Sequence, residues 1–376
     1  MDVRRILITG GAGFVGSSLA IRFAQSQPNL TIFALDNLKR RGSELNLGRL
    51  QQHGIRFVHG DVRCPEDLDS IGGCDLLIDC AAEPSVQAGV TGSPQYVLNN
   101  NVVSTIHCLE AARRWQSAFL LLSTSRVYPI QTLNALPFRE QATRYSWIDD
   151  LIAPDYSSAP SSGRPADAAS RPVIAGFSAQ GIAESFGLAG ARSFYGASKL
   201  CAEFLLQEYA ATGLPALVNR CGILAGPWQM GKVDQGVITH WIASHHYARP
   251  LRYLGFGGLG KQVRDVLHVD DLFELIACQL QQPQAWNGDV YNVGGGPQVS
   301  TSLCELTSLC QEVTGNQVPI TTVPETSQVD LRIYLSDCRR VAERFGWQPQ
   351  RGLRDVVTDI HHWIRDHDAT LKTILG

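Results

Sequence analysis

The chain has 376 residues, of which 44% are hydrophobic and 18% are charged, and its formal net charge is −3. This size and composition suit one large domain with a smaller lobe and a sizeable core. The slightly negative charge argues against a nucleic-acid-binding surface, which needs clustered Lys and Arg. No apolar run is long enough to span a membrane, and no signal-peptide pattern precedes the first strand, so we expect a cytoplasmic protein without a membrane partner.

Ten cysteines are spread along the chain without a CxxC pair or the spacing of a zinc site. We therefore predict neither a disulfide framework nor a bound metal, and reduced thiols agree with a cytoplasmic location. His240, His245 and His246 lie close together in sequence, but no second group of ligands accompanies them. We interpret them as surface or structural histidines.

The first predicted strand, turn and helix carry a glycine-rich motif. Residues 9–16 read TGGAGFVG, follow an apolar run and precede a helical pattern. Glycines here let the backbone approach a pyrophosphate, and the helix N-terminus supplies N–H groups to phosphates. Asp36 ends a second apolar strand, where a carboxylate can accept from ribose hydroxyls. A simple glycine-rich turn is the alternative, which the order of strand, turn, helix and acidic residue disfavours.

A short basic cluster, Lys39 to Arg41, follows Asp36 closely. It either contacts the adenosine side of a dinucleotide, which leaves NADP possible, or forms a solvated loop. Because the carboxylate of Asp36 would repel a 2′-phosphate, we predict NAD.

Apolar runs at Ile6, Ile32, Phe57, Leu76 and Phe119 alternate with helical segments. This alternation predicts an α/β fold, a doubly wound parallel sheet of the Rossmann type. We expect a second, smaller mixed α/β lobe after this domain.

The second motif is YGASK at residues 195–199. On a helix, Tyr195 and Lys199 share a face, so the ammonium can favour the phenolate and lower the pKa of Tyr195. An apolar strand also ends at Ser123, Thr124 and Ser125, where a hydroxyl could hold a substrate alcohol beside Tyr195. Taken alone, the motif is equally compatible with a surface Tyr and Lys on any helix.

Residues 151–192 are rich in Ser, Ala, Pro and Gly. This composition predicts mainly loop that contributes little to a core. Both a lid over the ligand and a disordered surface insertion fit its position before Tyr195.

Together these motifs resemble the extended short-chain dehydrogenase/reductase superfamily, whose members carry TGxxGxxG, a Ser/Thr strand end and YxxxK in this order. The resemblance implies that Thr124, Tyr195 and Lys199 are catalytic and that NAD is the cofactor. For Asn101, a bracing role and an ordinary place at a helix start both remain open. The cofactor site implied by the resemblance consists of Gly10, Gly13, Phe14, Val15, Gly16, Asp36, Asn37, Asp61, Val62, Ala81, Ala82, Asn101, Tyr195 and Lys199.

Residues 36–47, 232–236, 261–271 and 291–296 are similar to sugar-nucleotide enzymes, most of all to the CDP-paratose 2-epimerases. The resemblance covers nearly the whole chain. It implies C2 epimerisation of a CDP-linked sugar through transient oxidation and hydride return. The residues expected to bind the nucleotide-diphosphate sugar are Ser125, Arg126, Gln229, Lys232, Gln235 and Arg264.

The same resemblance divides the chain into two parts and implies a homo-oligomer. Residues 1–220 and about 262–285 would form the dinucleotide-binding domain, and about 221–261 and 286–376 the sugar-nucleotide lobe.

Three other functions are weighed against this one. A UDP-hexose 4-epimerase needs the same three catalytic residues and remains the alternative. A sugar-nucleotide 4,6-dehydratase typically has an Asp-Glu pair where this chain has Ser125 and Arg126, which argues against loss of water. A noncatalytic NAD-binding protein would not need Thr124, Tyr195 and Lys199.

Overall fold

The computed structural model describes residues 1–148, 174–231 and 235–376. Predictions that concern residues 149–173 and 232–234, including the substrate contact of Lys232 and most of a lid or insertion, lie outside the described residues.

The strands are β1 (Arg5–Thr9), β2 (Thr31–Asp36), β3 (Arg56–His59), β4 (Leu76–Asp79), β5 (Ala118–Thr124), β6 (Phe138–Glu140), β7 (Tyr145–Trp147), β8 (Phe177–Ser178), β9 (Gly181–Ile182), β10 (Ala216–Cys221), β11 (Ile223–Ala225), β12 (Leu251–Leu254), β13 (Val263–His268), β14 (Asn287–Val293), β15 (Ser300–Ser302), β16 (Ile320–Val323) and β17 (Ile333–Tyr334). The helices are α1 (Phe14–Ser26), α2 (Asn46–Gln52), α3 (Pro65–Asp69), α4 (Gln95–Leu98), α5 (Ser104–Trp115), α6 (Ile130–Asn134), α7 (Phe194–Ala211), α8 (Val237–His246), α9 (Val269–Leu280), α10 (Leu303–Thr314), α11 (Arg339–Phe345), α12 (Leu353–Asp366) and α13 (Asp368–Leu375).

The central sheet has seven parallel strands in the order β3-β2-β1-β4-β5-β10-β14. The predicted doubly wound parallel sheet is confirmed, and β1 to β5 lie at the five apolar runs. Strands such as β4 and β5 are buried along their whole length, as expected for a sheet covered on both faces. The strand order reverses between β1 and β4, and a crevice opens beyond the carboxyl ends of the strands at such a point.

Alternate residues of β1 face the two layers of helices. Ile8 packs in the same core as Leu272 of α9, whereas Leu7 packs with Leu109 of α5 and Leu206 of α7. This alternation is what a strand period of two residues requires. Helix α7, which carries Tyr195, is thereby fixed against one face of the sheet.

A second sheet joins β11, β13, β15 and β17, and β12 pairs with β16. Helices α8, α10 and α12 pack together beside it around a core that includes Trp241, Leu306 and Ile360. Two strands differ from the expected division. β14 pairs with β10, so the central sheet extends to Val293, and β13 lies in the second sheet although α9, which follows it, packs on α1. The division into two domains otherwise stays a prediction.

The described end of the Ser- and Pro-rich segment contributes to a core, contrary to its composition. Phe177, Ile182 and Phe186 are almost fully buried and pack with Tyr128 and Tyr334. The two short strands β8 and β9 form a hairpin, and the backbone N–H of Ile182 donates to Leu335. Three apolar residues among many small ones are enough to form this contact. The average composition of the segment does not reveal them.

Among the helices of the described residues, none combines the length and the apolar character needed to cross a membrane.

Candidate functional site

A cavity of about 1350 Å³ lies at the carboxyl ends of the central strands and extends to residues of the smaller lobe. Two predicted cofactor residues, Asp61 and Asn101, are not among the residues that line it. The predicted site residues that do line it are Gly10, Gly13, Phe14, Val15, Gly16, Asp36, Asn37, Val62, Ala81, Ala82, Thr124, Ser125, Arg126, Tyr195, Lys199, Gln229, Gln235 and Arg264.

The glycine-rich turn leads directly from β1 into α1. Gly10 has a positive φ of 59°, and its carbonyl accepts from the N–H of Gly13 at 2.9 Å. A Cβ on Gly16 would lie 2.2 Å from that carbonyl oxygen, so only glycine permits this close packing. No side chain caps the start of α1, and no acidic residue lies in its first turn. The turn and the open N-terminus therefore fit a dinucleotide pyrophosphate.

Asp36 is the last residue of β2 and faces the same cavity. Its Oδ2 accepts from the N–H of Ala12 at 3.1 Å and its Oδ1 from the N–H of Leu38 at 2.8 Å. Burial raises the pKa of Asp36, and these backbone bonds oppose the rise. The carboxylate keeps lone-pair capacity for a ribose hydroxyl beyond these backbone bonds.

Asp61 and Asn101 do not line the cavity but form hydrogen bonds to residues that do. Asp61 accepts from Asn37 Nδ2 at 2.9 Å, and Arg63 holds the pKa of its carboxyl well below the usual range. Asn101 is fully buried, accepts from the N–H of Glu83 at 2.8 Å and donates to Ser198 at 3.0 Å. It lies inside a π-helical segment, Asn99–Val103, and the helical run begins earlier, at Gln95, so Asn101 does not start a helix. Its contacts are those of a brace between the loop after β4 and α7.

The basic cluster after Asp36 contacts other parts of the chain as well as the cavity. Lys39 Nζ lies 4.0 Å from the centre of the Tyr96 ring. Arg40 donates to the carbonyl of Met230 at 3.2 Å, and Arg41 donates to the carbonyl of Thr373 in α13 at 2.9 Å. The cluster therefore connects the cofactor side of the cavity with the smaller lobe.

The predicted catalytic residues meet where β5 ends beside α7. Thr124 is the last residue of β5, and its Oγ1 accepts from the N–H of Arg126 at 3.2 Å. Tyr195 and Lys199 lie on the first two turns of α7. A Cβ on Gly196 would lie 2.1 Å from the carbonyl oxygen of Arg126, so a glycine after Tyr195 lets α7 approach this strand end closely. All three catalytic candidates line one cavity, and their roles stay predictions.

The pKa of Tyr195 differs from the expectation. It is raised to about 12, mainly because burial disfavours the phenolate. A hydrogen-bonding interaction with Thr124 and the positive charge of Arg126 oppose the rise, whereas Cys221 and Glu83 add to it. The expected net decrease in this pKa is wrong for the protein without ligand, because desolvation outweighs the interactions that oppose it.

Lys199 is almost fully buried, which lowers the pKa of its ammonium. Asp79 and Glu203 oppose that decrease. Asp79 is the last residue of β4 and accepts from Thr9 at 2.6 Å and from Thr105 at 3.1 Å. A buried, oriented carboxylate thus favours the charged form of Lys199.

Two arginines, Arg126 and Arg264, line the cavity together with Thr124. Arg264 forms an ion pair with Asp330 at 3.0 Å and also donates to the carbonyl groups of Val263 and Leu331, at 2.8 Å and 2.5 Å. Burial lowers the pKa of Arg264 to about 10. Arg126 donates to the carbonyl of Val329 at 3.0 Å.

The two glutamines expected near the substrate make different contacts. Gln229 uses both ends of its amide within the protein, since Nε2 donates to the carbonyl of Leu224 and Oε1 accepts from Thr239. Gln235 donates to Glu83 Oε1 at 3.0 Å.

Sequence reasoning missed Glu83 and Asp330, both of which line the cavity. Neither belongs to a motif with a mechanism of its own. Only the folded chain brings Glu83 to Gln235 and Asp330 to Arg264.

The chain is similar in sequence and in fold to proteins of known function. The model of the NAD dependent epimerase/dehydratase family matches residues 6–147 and 175–294. CDP-paratose 2-epimerase of Salmonella typhi is 29% identical, with 96% of this chain and 98% of that protein aligned. dTDP-glucose 4,6-dehydratase of Salmonella typhimurium is 26% identical, with 94% and 91% aligned. The crystal structure of UDP-glucuronic acid 4-epimerase from Bacillus cereus, in complex with UDP-glucuronic acid and NAD, has a TM-score of 0.71 at 20% identity and covers 96% of this chain and 99% of that one.

The family match covers most of the chain, and the structural likeness supports the same fold. The chain therefore belongs to the NAD-dependent epimerase/dehydratase family and is an enzyme. The expected resemblance and the NAD cofactor are confirmed at this level, whereas the particular substrate is not determined by it.

Proposed function

We propose that the enzyme epimerises C2 of a CDP-linked 3,6-dideoxyhexose and converts CDP-paratose to CDP-tyvelose. The main observation in favour of this proposal is the identity of the residue that follows Thr124 and Ser125. At this strand end the chain has Arg126, whose guanidinium stays protonated and cannot serve as the acid or base that loss of water requires. The similarity to CDP-paratose 2-epimerase, aligned over nearly the full length of both chains, supports the same choice.

In this proposal NAD, when bound, supplies the removal and return of a hydride at the sugar carbon. Tyr195 takes the proton of the sugar hydroxyl as the carbon is oxidised and returns it when the carbon is reduced. Thr124 holds that hydroxyl at the strand end. Lys199 contacts the cofactor ribose, and its positive charge partly offsets the desolvation that disfavours the phenolate of Tyr195. Reduction on the opposite face of the carbon inverts its configuration, and no net oxidation remains.

The turn and Asp36 hold the cofactor in the same proposal. Gly10, Gly13 and the first N–H groups of α1 contact the pyrophosphate, and Asp36 accepts from the adenosine ribose. Ala81 and Ala82 allow the cofactor to lie close to the end of β4. The cavity that these residues share supports the assignments.

The proposal is tested by incubating the purified enzyme and NAD separately with CDP-paratose, UDP-glucose and dTDP-glucose and identifying products by NMR. We expect CDP-tyvelose from CDP-paratose, with a higher kcat/KM than for any other sugar. Conversion of UDP-glucose alone would replace the proposal by 4-epimerisation. A 4-keto-6-deoxy product from dTDP-glucose would replace it by dehydration.

A further inference from the structure

The two cavity arginines differ in how many hydrogen-bond donors they have left. A guanidinium carries five N–H donors in a planar fork. Arg264 directs both of its terminal nitrogens to Asp330 and to backbone carbonyl groups. Within the described residues, the guanidinium of Arg126 makes one hydrogen bond, to the carbonyl of Val329. Arg126 therefore has donors to offer a ligand, and Arg264 has few.

Arg126 shares the cavity with the catalytic candidates. Arg126 lines the cavity together with Thr124, Tyr195 and Asp330. Asp330 is the carboxylate that acts on Arg126, and Arg264 already pairs with it. One carboxylate is thus shared by two guanidinium groups, and the positive charge of Arg126 acts on Tyr195.

We propose that Arg126 binds the phosphate attached to the anomeric carbon of the sugar and thereby places the neighbouring carbon at Tyr195. A guanidinium fork matches two phosphate oxygens, and such charge-assisted pairs are strong and directional. An anomeric phosphate held next to the base brings C2 within reach, because C2 is bonded to the anomeric carbon. C4 lies across the ring from it. Arg126 is accordingly a positioning residue that selects the carbon, and this role rests on the proposed function.

Arg264 has a structural role besides its expected contact with the substrate. Its ion pair and carbonyl contacts hold the segment that contains Asp330 and Leu331 against β13. Arg264 thus supports the wall of the cavity that it lines, in addition to the substrate contact expected for it, and Arg126 supplies a phosphate contact of its own. The two arginines should respond differently to the same substitution.

Binding of CDP and of CMP by the NAD-loaded enzyme separates these roles without any turnover, because CMP lacks the second phosphate. We expect R126Q to weaken CDP binding about 10- to 100-fold, the range for a hydrogen bond to a charged group, and to leave CMP binding nearly unchanged. R126K should restore part of the preference for CDP, since it returns the charge without the fork. If the enzyme binds uracil nucleotides instead, UDP and UMP titrated in parallel give the same comparison.

Arg332→Gln is the matched structural control. Arg332 donates to the carbonyl of Asn134 at 3.0 Å and stacks 3.9 Å from the centre of the Phe138 ring, on the same segment but away from the cavity. R332Q should keep the preference for the diphosphate. The same preference in R126Q as in the wild type, or its loss in R264Q alone, would overturn the proposal.

Turnover of CDP-paratose gives the second readout. If Arg126 positions the sugar, R126Q should lower kcat as well as raise KM, because the reacting carbon is no longer held at Tyr195. A raised KM with unchanged kcat would overturn the positioning role. If wild-type enzyme leaves CDP-paratose unchanged while the diphosphate preference still depends on Arg126, the proposed function fails and the phosphate contact stands.

Discussion

Glu203 and Arg220 form an ion pair behind the strand end that carries Thr124. Glu203 Oε2 and Arg220 Nη2 are 2.7 Å apart, and both side chains are almost fully buried. Ser123 donates to Glu203, and Arg220 also donates to the hydroxyl of Tyr128 at 3.1 Å. Burial alone would lower the pKa of Arg220, but Glu203 and Tyr128 together outweigh it, so the pKa is raised. The pair joins α7, β5 and β10 where the catalytic candidates meet.

The first prediction concerns the stability that this pair provides. Glu203→Gln leaves a buried guanidinium without its charge partner, so we expect a loss of about 3–5 kcal/mol in the free energy of unfolding. Denaturant unfolding measures it. The control is Glu312→Gln, which breaks the exposed ion pair with Arg354 and should have a much smaller effect, because water screens exposed charges. Equal effects of the two substitutions would contradict a structural role for the buried pair.

The second prediction concerns Asp265, whose buried carboxyl has a pKa raised to about 6 from the ordinary 3.8 because of desolvation. A raised folded-state pKa favours folding while the group is protonated, and this contribution is lost as pH rises through the folded-state value. Between pH 4 and pH 7 the wild type should therefore lose about 2 kcal/mol relative to Asp265→Asn. Unfolding free energies of the two proteins across this pH range measure the difference.

Asp366→Asn is the control for the removal of one negative charge, because Asp366 is about half exposed. If the unfolding free energies of the wild type and of Asp265→Asn change in parallel with pH, Asp265 does not cause the pH dependence.

The elements that carry the motifs could be predicted from local sequence, because strand burial and helix spacing are local properties. The five apolar runs lie in β1 to β5, and Tyr195 and Lys199 share α7 as their spacing requires. The partners of Arg264 and Glu203 could not be predicted, since they depend on side chains that meet only when distant segments fold together. The raised pKa of Tyr195 could not be predicted either, because it also depends on the complete fold.

Spacing along a helix reveals a neighbouring charge such as Lys199. It does not reveal how much water the fold removes from Tyr195, and that removal dominates the pKa. The segment around Ile182 was likewise misjudged because a few apolar residues gained partners from Tyr128 and Tyr334, which lie far away in sequence.

The third prediction tests Tyr195 as the general acid and base. Tyr195→Phe removes the proton that is exchanged with the sugar and should lower kcat by about 10²–10⁴-fold while NAD still binds. Tyr209→Phe is the matched control, since Tyr209 lies on the same helix but donates to Glu110 outside the cavity. Steady-state rates and NAD titrations of both variants give the answer. Near-normal turnover by the Tyr195 variant would refute its role.

The fourth prediction concerns the choice between NAD and NADP. Lys39, Arg40 and Arg41 already contact other parts of the chain, and Asp36 faces the cavity, so the wild type should bind NAD more tightly. Asp36→Ala should shift the affinity ratio towards NADP by about tenfold, because it removes a hydrogen-bonded charge that repels a 2′-phosphate. Direct titration of both dinucleotides measures the ratio, with the exposed Asp69→Asn as control. Equal affinities in the wild type would show that the basic cluster dominates.

The last prediction distinguishes internal hydride return from enolisation, which give the same product. If the hydrogen at C2 leaves and returns as a hydride within the closed site, it never becomes a proton that exchanges with water. A CDP-paratose labelled with deuterium at C2 should therefore yield an epimer that keeps the label at C2 through many turnovers, as read by mass spectrometry and NMR. Unlabelled substrate in heavy water should gain no label at C2, which is the complementary control. A base acting next to a carbonyl would exchange the hydrogen instead, so loss of the label would refute the roles proposed for Thr124, Tyr195 and Lys199.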